Sequence, residues 1–137
     1  MESYALSRLR VLIVEDDGFT QQLLRAIVKR LGARAKVCAD GPSALAAVSS
    51  GTFDVMLVDW QMPGMDGCAL TRTIRRLPEP AQAKMPIIMV TGTSDQPRVL
   101  AARDAGVDGY LVTPVSPKKL HDHLLAVMRR RSLSQTA

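Results

Sequence analysis

Three acidic residues in a row, Glu15-Asp16-Asp17, directly follow the apolar run at 9–14. A fourth, Asp59, directly follows the run at 53–58, and Thr91 directly follows the run at 86–90. Carboxylates a few ångströms apart repel, so a cluster of them needs a proton or a cation between its members. Such oxygen ligands suit a small hard cation like Mg²⁺, which retains several waters. An aspartate beside that cation is a candidate phosphoryl acceptor, and a threonine hydroxyl can bond a phosphoryl oxygen. Taken alone, Glu15-Asp16-Asp17 reads better as a solvated acidic loop. With Asp59 and Thr91 at matching positions, the five residues read as parts of one site.

Short apolar runs alternate with amphipathic stretches, and this alternation is what must position those groups. Strands are expected at 9–14, 35–39, 53–58, 86–90 and 107–112. Between them, helical spacing runs from Gly18 to Leu31, from the Asp40-Gly41-Pro42 turn to Gly51, and from an Asp66 cap to about Arg76. Pro78-Glu79-Pro80 reads as a break. A further helix is capped by Ser94 or Asp95 and stops at Gly106, and Ser116-Pro117 opens the last one. Five βα units imply an α/β fold: a doubly wound, five-stranded parallel sheet with helices on both faces. Runs one, three and four are apolar nearly throughout, as strands covered on both faces are. Ligands of such sheets bind outside the carboxyl ends of the strands, which is where Glu15, Asp59, Thr91 and Thr113 fall.

The 137 residues suit one domain, expected over 1–131, with a frayed tail at 132–137. Hydrophobic residues at 47% and charged residues at 23% exclude a disordered chain. No apolar run reaches the ~20 residues of a membrane span, and the first ten residues lack a secretory apolar block, so the expected compartment is the cytoplasm. Net charge is +5, but the basic residues are scattered apart from Arg129-Arg130-Arg131, and solvated helix faces are favoured over a nucleic-acid surface. Cys38 and Cys68 form no metal-ligand spacing and read as small buried hydrophobes. His121 and His123 are two apart, do not share a helix face, and read as surface histidines. GxxxxGK[ST] and GxGxxG are absent. The segment from Asp59 to Leu70 fails as a calcium loop, because Leu70 stands where a bidentate glutamate is required. Most methionines read as core filling, and Trp60 as part exposed.

Four segments in order, LIVEDD (12–17), LVDWQMPGMDG (57–67), IIMVTG (87–92) and DGYLVTPVSP (108–117), resemble a response-regulator receiver domain, the phospho-accepting module of two-component signalling. The resemblance covers residues 9–129, and the second segment is its most specific part. It implies a flavodoxin-like sheet of order 2-1-3-4-5. It implies that Asp59 is the phosphorylated aspartate and that Asp16 binds Mg²⁺ directly, with Glu15 acting mainly through water. The backbone carbonyl of Gln61 would be a further ligand. Thr91 would be the switch hydroxyl, Tyr110 the switch aromatic, and Gly67 the glycine that lets the loop after Asp59 turn into a helix.

One departure stands out. The family normally carries a lysine before the proline that follows strand five, and here that residue is Thr113. A short neutral side chain cannot offset phosphoryl charge as an ammonium does; Lys118 and Lys119 lie a few residues on. The implied function is a receiver, monomeric or weakly dimeric. It takes its phosphoryl group from a histidine kinase or phosphotransfer protein and signals to an unknown downstream protein, with no direct role for nucleic acid or membrane. It promotes its own phosphorylation and dephosphorylation but is otherwise no enzyme. Thr113 keeps open a pseudo-receiver that binds a partner constitutively. An aspartate-nucleophile phosphatase is disfavoured, because Gln61 stands where a second aspartate would act as general acid.

Overall fold

Residues along each strand alternate between two faces, and each face of the sheet finds its own helices. A computed structural model describes residues 6–92 and 95–136, with side chains through 130. The elements are β1 (Arg10–Val14), α1 (Gly18–Arg30), β2 (Arg34–Cys38), α2 (Gly41–Ser50), β3 (Val55–Val58), α3 (Gly67–Arg75), α4 (Pro80–Ala83), β4 (Ile87–Thr91), α5 (Gln96–Ala105), β5 (Gly109–Val112) and α6 (Pro117–Thr136). All strand pairs are parallel, in the order β2-β1-β3-β4-β5. The chain winds outward from β1 to β2 and then back across to β3, so the carboxyl ends of β1 and β3 flank the switch point.

Val11, Ile13, Val55, Leu57, Ile88 and Val90 face α1 and α6, where Leu24, Ile27, Leu120 and Leu124 complete one core. Leu12, Val14, Met56, Val58, Ile87 and Met89 face the opposite way, onto Ala44, Val48, Leu70, Ile74 and Ala102. Both faces of β3 and β4 are therefore buried, which is why those runs read as continuously apolar. Cys38 and Cys68 are free and buried, and burial pushes both thiols up.

Four helices start on an aspartate cap at the carboxyl edge of the sheet. Asp17 accepts from the Thr20 N–H at 2.9 Å and the Thr20 hydroxyl at 2.6 Å. Asp40 accepts from Ser43 N–H at 2.8 Å, Asp66 from Ala69 N–H at 2.8 Å, and Asp95 from Arg98 N–H at 3.0 Å. Each such cap contributes about 1 kcal/mol. Of the two caps expected for α5, Asp95 serves, and Ser94 lies outside the described residues.

At the opposite edge, where strands begin, Arg75 uses all five of its N–H donors. Nε and Nη2 donate to Gly106 O at 3.0 and 2.8 Å, and Nη1 donates to Ala83 O and Met85 O at 2.8 and 2.7 Å. Nη2 also meets Asp108 Oδ2 at 2.8 Å, and the same oxygen takes the Ile87 N–H. Gly106 closes α5 at φ +111°, and a Cβ there would lie 2.9 Å from Arg75 Cγ, so both conformation and space require glycine.

Several boundaries differ from the sequence expectation. Pro80 does more than break α3: it occupies the first turn of the short α4, which Gln82 ties to α2 through Val48 O at 3.0 Å. β3 starts at Val55, since Phe53 turns under the Arg10 guanidinium and Asp54 accepts the Arg10 N–H. β5 starts at Gly109, since Asp108 is taken by Arg75 and Ile87. The backbone of α6 stays helical through Thr136, where a frayed tail from 132 was expected. His121 and His123 are half-buried rather than on the open surface, with His123 Nδ1 3.0 Å from Lys119 O. Among the described residues, no helix is long and apolar enough to cross a membrane.

Candidate phosphoryl and metal site

The carboxyl edge of the sheet opens into a cleft of about 680 Å³. The β1 end supplies Glu15, Asp16 and Asp17, the β3 end Asp59, Trp60 and Gln61, the β4 end Thr91, and the β5 end Thr113. Backbone bonds across neighbouring strands hold these ends in register. Glu15 N–H donates to Cys38 O at 3.0 Å, Asp59 N–H to Val14 O at 3.1 Å, and Thr113 N–H to Thr91 O at 2.9 Å. A Gln21 side-chain amide clamps the Glu15 carbonyl from α1.

Carboxylate oxygens of Glu15, Asp16 and Asp59 all lie within 4.8 Å of one another. Glu15 is only 5% exposed, and its carboxylate accepts the Asp17 N–H at 3.1 Å. Burial first, and then the neighbouring Asp59 charge, push the Glu15 carboxyl up from 4.5 to about 7. Burial also pushes Asp59 up, aided by Asp16 and opposed by the N–H groups of Trp60 and Gln61 and by a hydrogen bond from Glu15. The cluster therefore holds more negative charge than its surroundings neutralise, and a proton or a cation must sit there. Three oxygen donors from two strand ends, open to solvent through the exposed Asp16, fit a small hard cation that keeps some of its water.

Thr91 is 5% exposed, at the end of β4, and lines the same cleft. Thr113 is exposed, and its Oγ1 would lie 3.7 Å from a Cβ on Gly92. Gln61 is exposed on the cleft wall. The structure thus brings together Glu15, Asp16, Asp59, Gln61, Thr91 and Thr113. Tyr110 stays outside the cleft lining: it is half-buried against the core on the side of Met89, its register partner on β4. Burial and Asp95 push its hydroxyl up, and Arg98 opposes them. Lys118 pairs with Asp122 at 3.0 Å, and neither Lys118 nor Lys119 lines the cleft.

Three residues act differently from, or beyond, the sequence reading. Asp66, read as a helix cap, also lines the cleft. Arg98 stands over the Trp60 ring, 5.8 Å from its centroid, and no spacing rule joins residues 60 and 98. Gly67 is constrained by space rather than by turning freedom. Its φ is not positive, but a Cβ would collide with the Asp59 carbonyl oxygen and lie 3.0 Å from Met89 Cε. Its N–H donates to Trp60 O at 2.8 Å, so this close approach fixes the loop that presents Asp59.

Comparison with known proteins agrees with this arrangement. The response regulator receiver domain pattern matches residues 11–125. Chemotaxis protein CheY of Pseudomonas aeruginosa is 31% identical over 123 residues, covering 89% of this chain and 98% of that protein. The cyclic di-GMP phosphodiesterase response regulator RpfG of Xanthomonas campestris is 34% identical over 130 residues, but the chain, 93% covered, spans only 34% of that relative's length. Among solved structures, the receiver domain of the sensor histidine kinase PA1611 from Pseudomonas aeruginosa has a magnesium ion coordinated in its active-site cleft. It superposes with a TM-score of 0.77 at 30% identity, covering 85% of this chain and 93% of that one. With the fold, the strand order and the acidic cleft all in agreement, this chain belongs to the response regulator receiver domain family, the signalling modules of two-component systems.

Proposed function

We propose that Asp59 accepts a phosphoryl group from a histidine kinase or phosphotransfer protein and that the phosphorylated domain signals through contacts with a downstream protein. The observation that carries this reading is the convergence of Glu15, Asp16 and Asp59 within 4.8 Å, in a cleft that Thr91 also lines. Asp16 and Asp59 would hold Mg²⁺ directly, with the Gln61 carbonyl as a third ligand and Glu15 acting through water. Bound there, Mg²⁺ supplies positive charge that offsets the carboxylates and the incoming phosphoryl oxygens. An Asp59 carboxylate oxygen attacks phosphorus, the bond from phosphorus to the donor's imidazole nitrogen breaks, and the imidazole leaves with the electron pair. The Thr91 hydroxyl donates to a phosphoryl oxygen, and Tyr110 follows it inward from its half-buried position. A second reading, a constitutive binding module, draws on Thr113 in place of a lysine.

Intact mass separates the two readings. Incubated with Mg²⁺ and a small phosphodonor, the protein should gain one phosphoryl group, and Asp59→Asn should gain none while remaining folded. A gain that persists in Asp59→Asn moves the acceptor elsewhere. No gain in the natural protein at saturating Mg²⁺ favours the constitutive module.

A further inference from the structure

Five carboxylates, those of Glu15, Asp16, Asp17, Asp59 and Asp66, line the cleft, and among its described lining residues there is no lysine or arginine. A phosphoryl group on Asp59 would bring roughly −1.5 to −2 further charge into that field. A divalent cation low in the cluster offsets part of it. The outward-facing phosphoryl oxygens then need a charged donor that can approach from the mouth. Thr113 is neutral, and Lys118 and Lys119 stand on α6, outside the cleft lining.

Arg98 is placed to meet that need. Its guanidinium stacks on Trp60, the residue after the acceptor and itself part of the cleft wall. Its contact with Asp95 is long, 3.6 Å, between side chains 41% and 52% exposed, a kind of pair that contributes little. Its charge is also felt at the Tyr110 hydroxyl. A guanidinium has a planar fork of five donors matched to phosphate oxygens, and a ring face holds it without fixing one position. We infer that Arg98, carried on Trp60 beside the acceptor, is the cation that binds the phosphoryl group on Asp59 and takes the place of the lysine that Thr113 replaces. The inference rests on Asp59 being the acceptor.

The test uses beryllium fluoride as the phosphoryl mimic, with binding followed by calorimetry and ¹⁹F NMR at saturating Mg²⁺. Arg98→Gln should weaken binding of the mimic about fivefold, the loss expected for one partly exposed charged donor. Arg98→Lys should keep most of the affinity. Thr113→Lys should restore it in the Arg98→Gln background while adding much less to the natural protein. Mg²⁺ alone should bind Arg98→Gln at least as tightly as it binds the natural protein, since a repelling charge has gone. Unchanged binding of the mimic by Arg98→Gln overturns the inference and leaves the acceptor reading standing. A parallel loss of Mg²⁺ and mimic binding also overturns it, by making Arg98 a purely structural residue. Failure of the natural, folded protein to bind the mimic at all overturns the acceptor reading and the inference with it.

Discussion

The two edges of the sheet treat buried charge in opposite ways. At the amino edge, the Arg75 guanidinium makes five hydrogen bonds to four acceptors, so every donor is used and the Asp108 carboxylate takes both Arg75 and the Ile87 N–H. At the carboxyl edge, Glu15, Asp16 and Asp59 crowd within 4.8 Å, and burial first, then the neighbouring carboxylates, push Glu15 and Asp59 up. A satisfied charge fixes α3, α4, β4 and β5 to one another. An unsatisfied charge creates a demand for a ligand. The fold places the first where nothing has to change and the second where something has to bind.

The strongest way to break the contrast is at the satisfied edge. Arg75→Met leaves three backbone carbonyls and Asp108 short of a donor, and should cost about 3 kcal/mol in urea unfolding. Its Mg²⁺ affinity should stay within about twofold of the natural protein, since additivity is expected between distant sites. Loss of metal binding in a folded Arg75→Met protein would show that the two edges are coupled.

Gly67→Ala attacks the other edge. The added methyl meets the Asp59 carbonyl, so the loop must shift, at a cost of about 2 kcal/mol. Here stability and Mg²⁺ affinity should fall together, unlike in Arg75→Met. Chemical denaturation and calorimetry on one preparation decide this.

The smallest effect is the dependence on pH. In EDTA, the folded protein holds a proton on Glu15 up to about pH 7, whereas an unfolded Glu15 releases it near 4.5. Between those values the folded state binds more protons, so stability should fall as pH rises through that window. The total fall is on the order of 1–2 kcal/mol, discounted because Asp59 shares the proton. Mg²⁺ displaces that proton, so its stabilising effect should grow from pH 5 to pH 8. A melting temperature in EDTA that is flat over this range would mean the cluster is not short of a proton.

Legibility in the sequence followed the same division. The strand-end residues Glu15, Asp16, Asp59, Thr91 and Thr113 could be found because a parallel sheet delivers all its strand ends to one edge, so position along the chain converts directly into position in the site. The order β2-β1-β3-β4-β5 came from the family resemblance rather than from periodicity. Arg75 was not legible, because its partners are mostly backbone carbonyls, which carry no residue-type signal. Gly67 was named through the family resemblance, but its reason was not legible: the constraint is a neighbouring carbonyl rather than a positive φ. Arg98 and Trp60 are joined only through the tertiary packing of α5 on α3, which brings the start of α5 to the loop after β3. The α4 turn was hidden because two prolines read as a break whether or not one of them also starts a helix.

The aspartate caps have a kinetic consequence. A bare helix amino terminus attracts anions, but Asp17, Asp40, Asp66 and Asp95 already occupy four of them, and two of these carboxylates also line the cleft. A small anionic phosphodonor therefore approaches a mouth that repels it, although the chain as a whole carries +5. Encounter is governed by the local field rather than by net charge. Added salt screens that field over about 10 Å at 0.1 M. The rate of modification by a small anionic donor, at saturating Mg²⁺, should therefore rise with ionic strength, the reverse of what the basic isoelectric point alone would suggest.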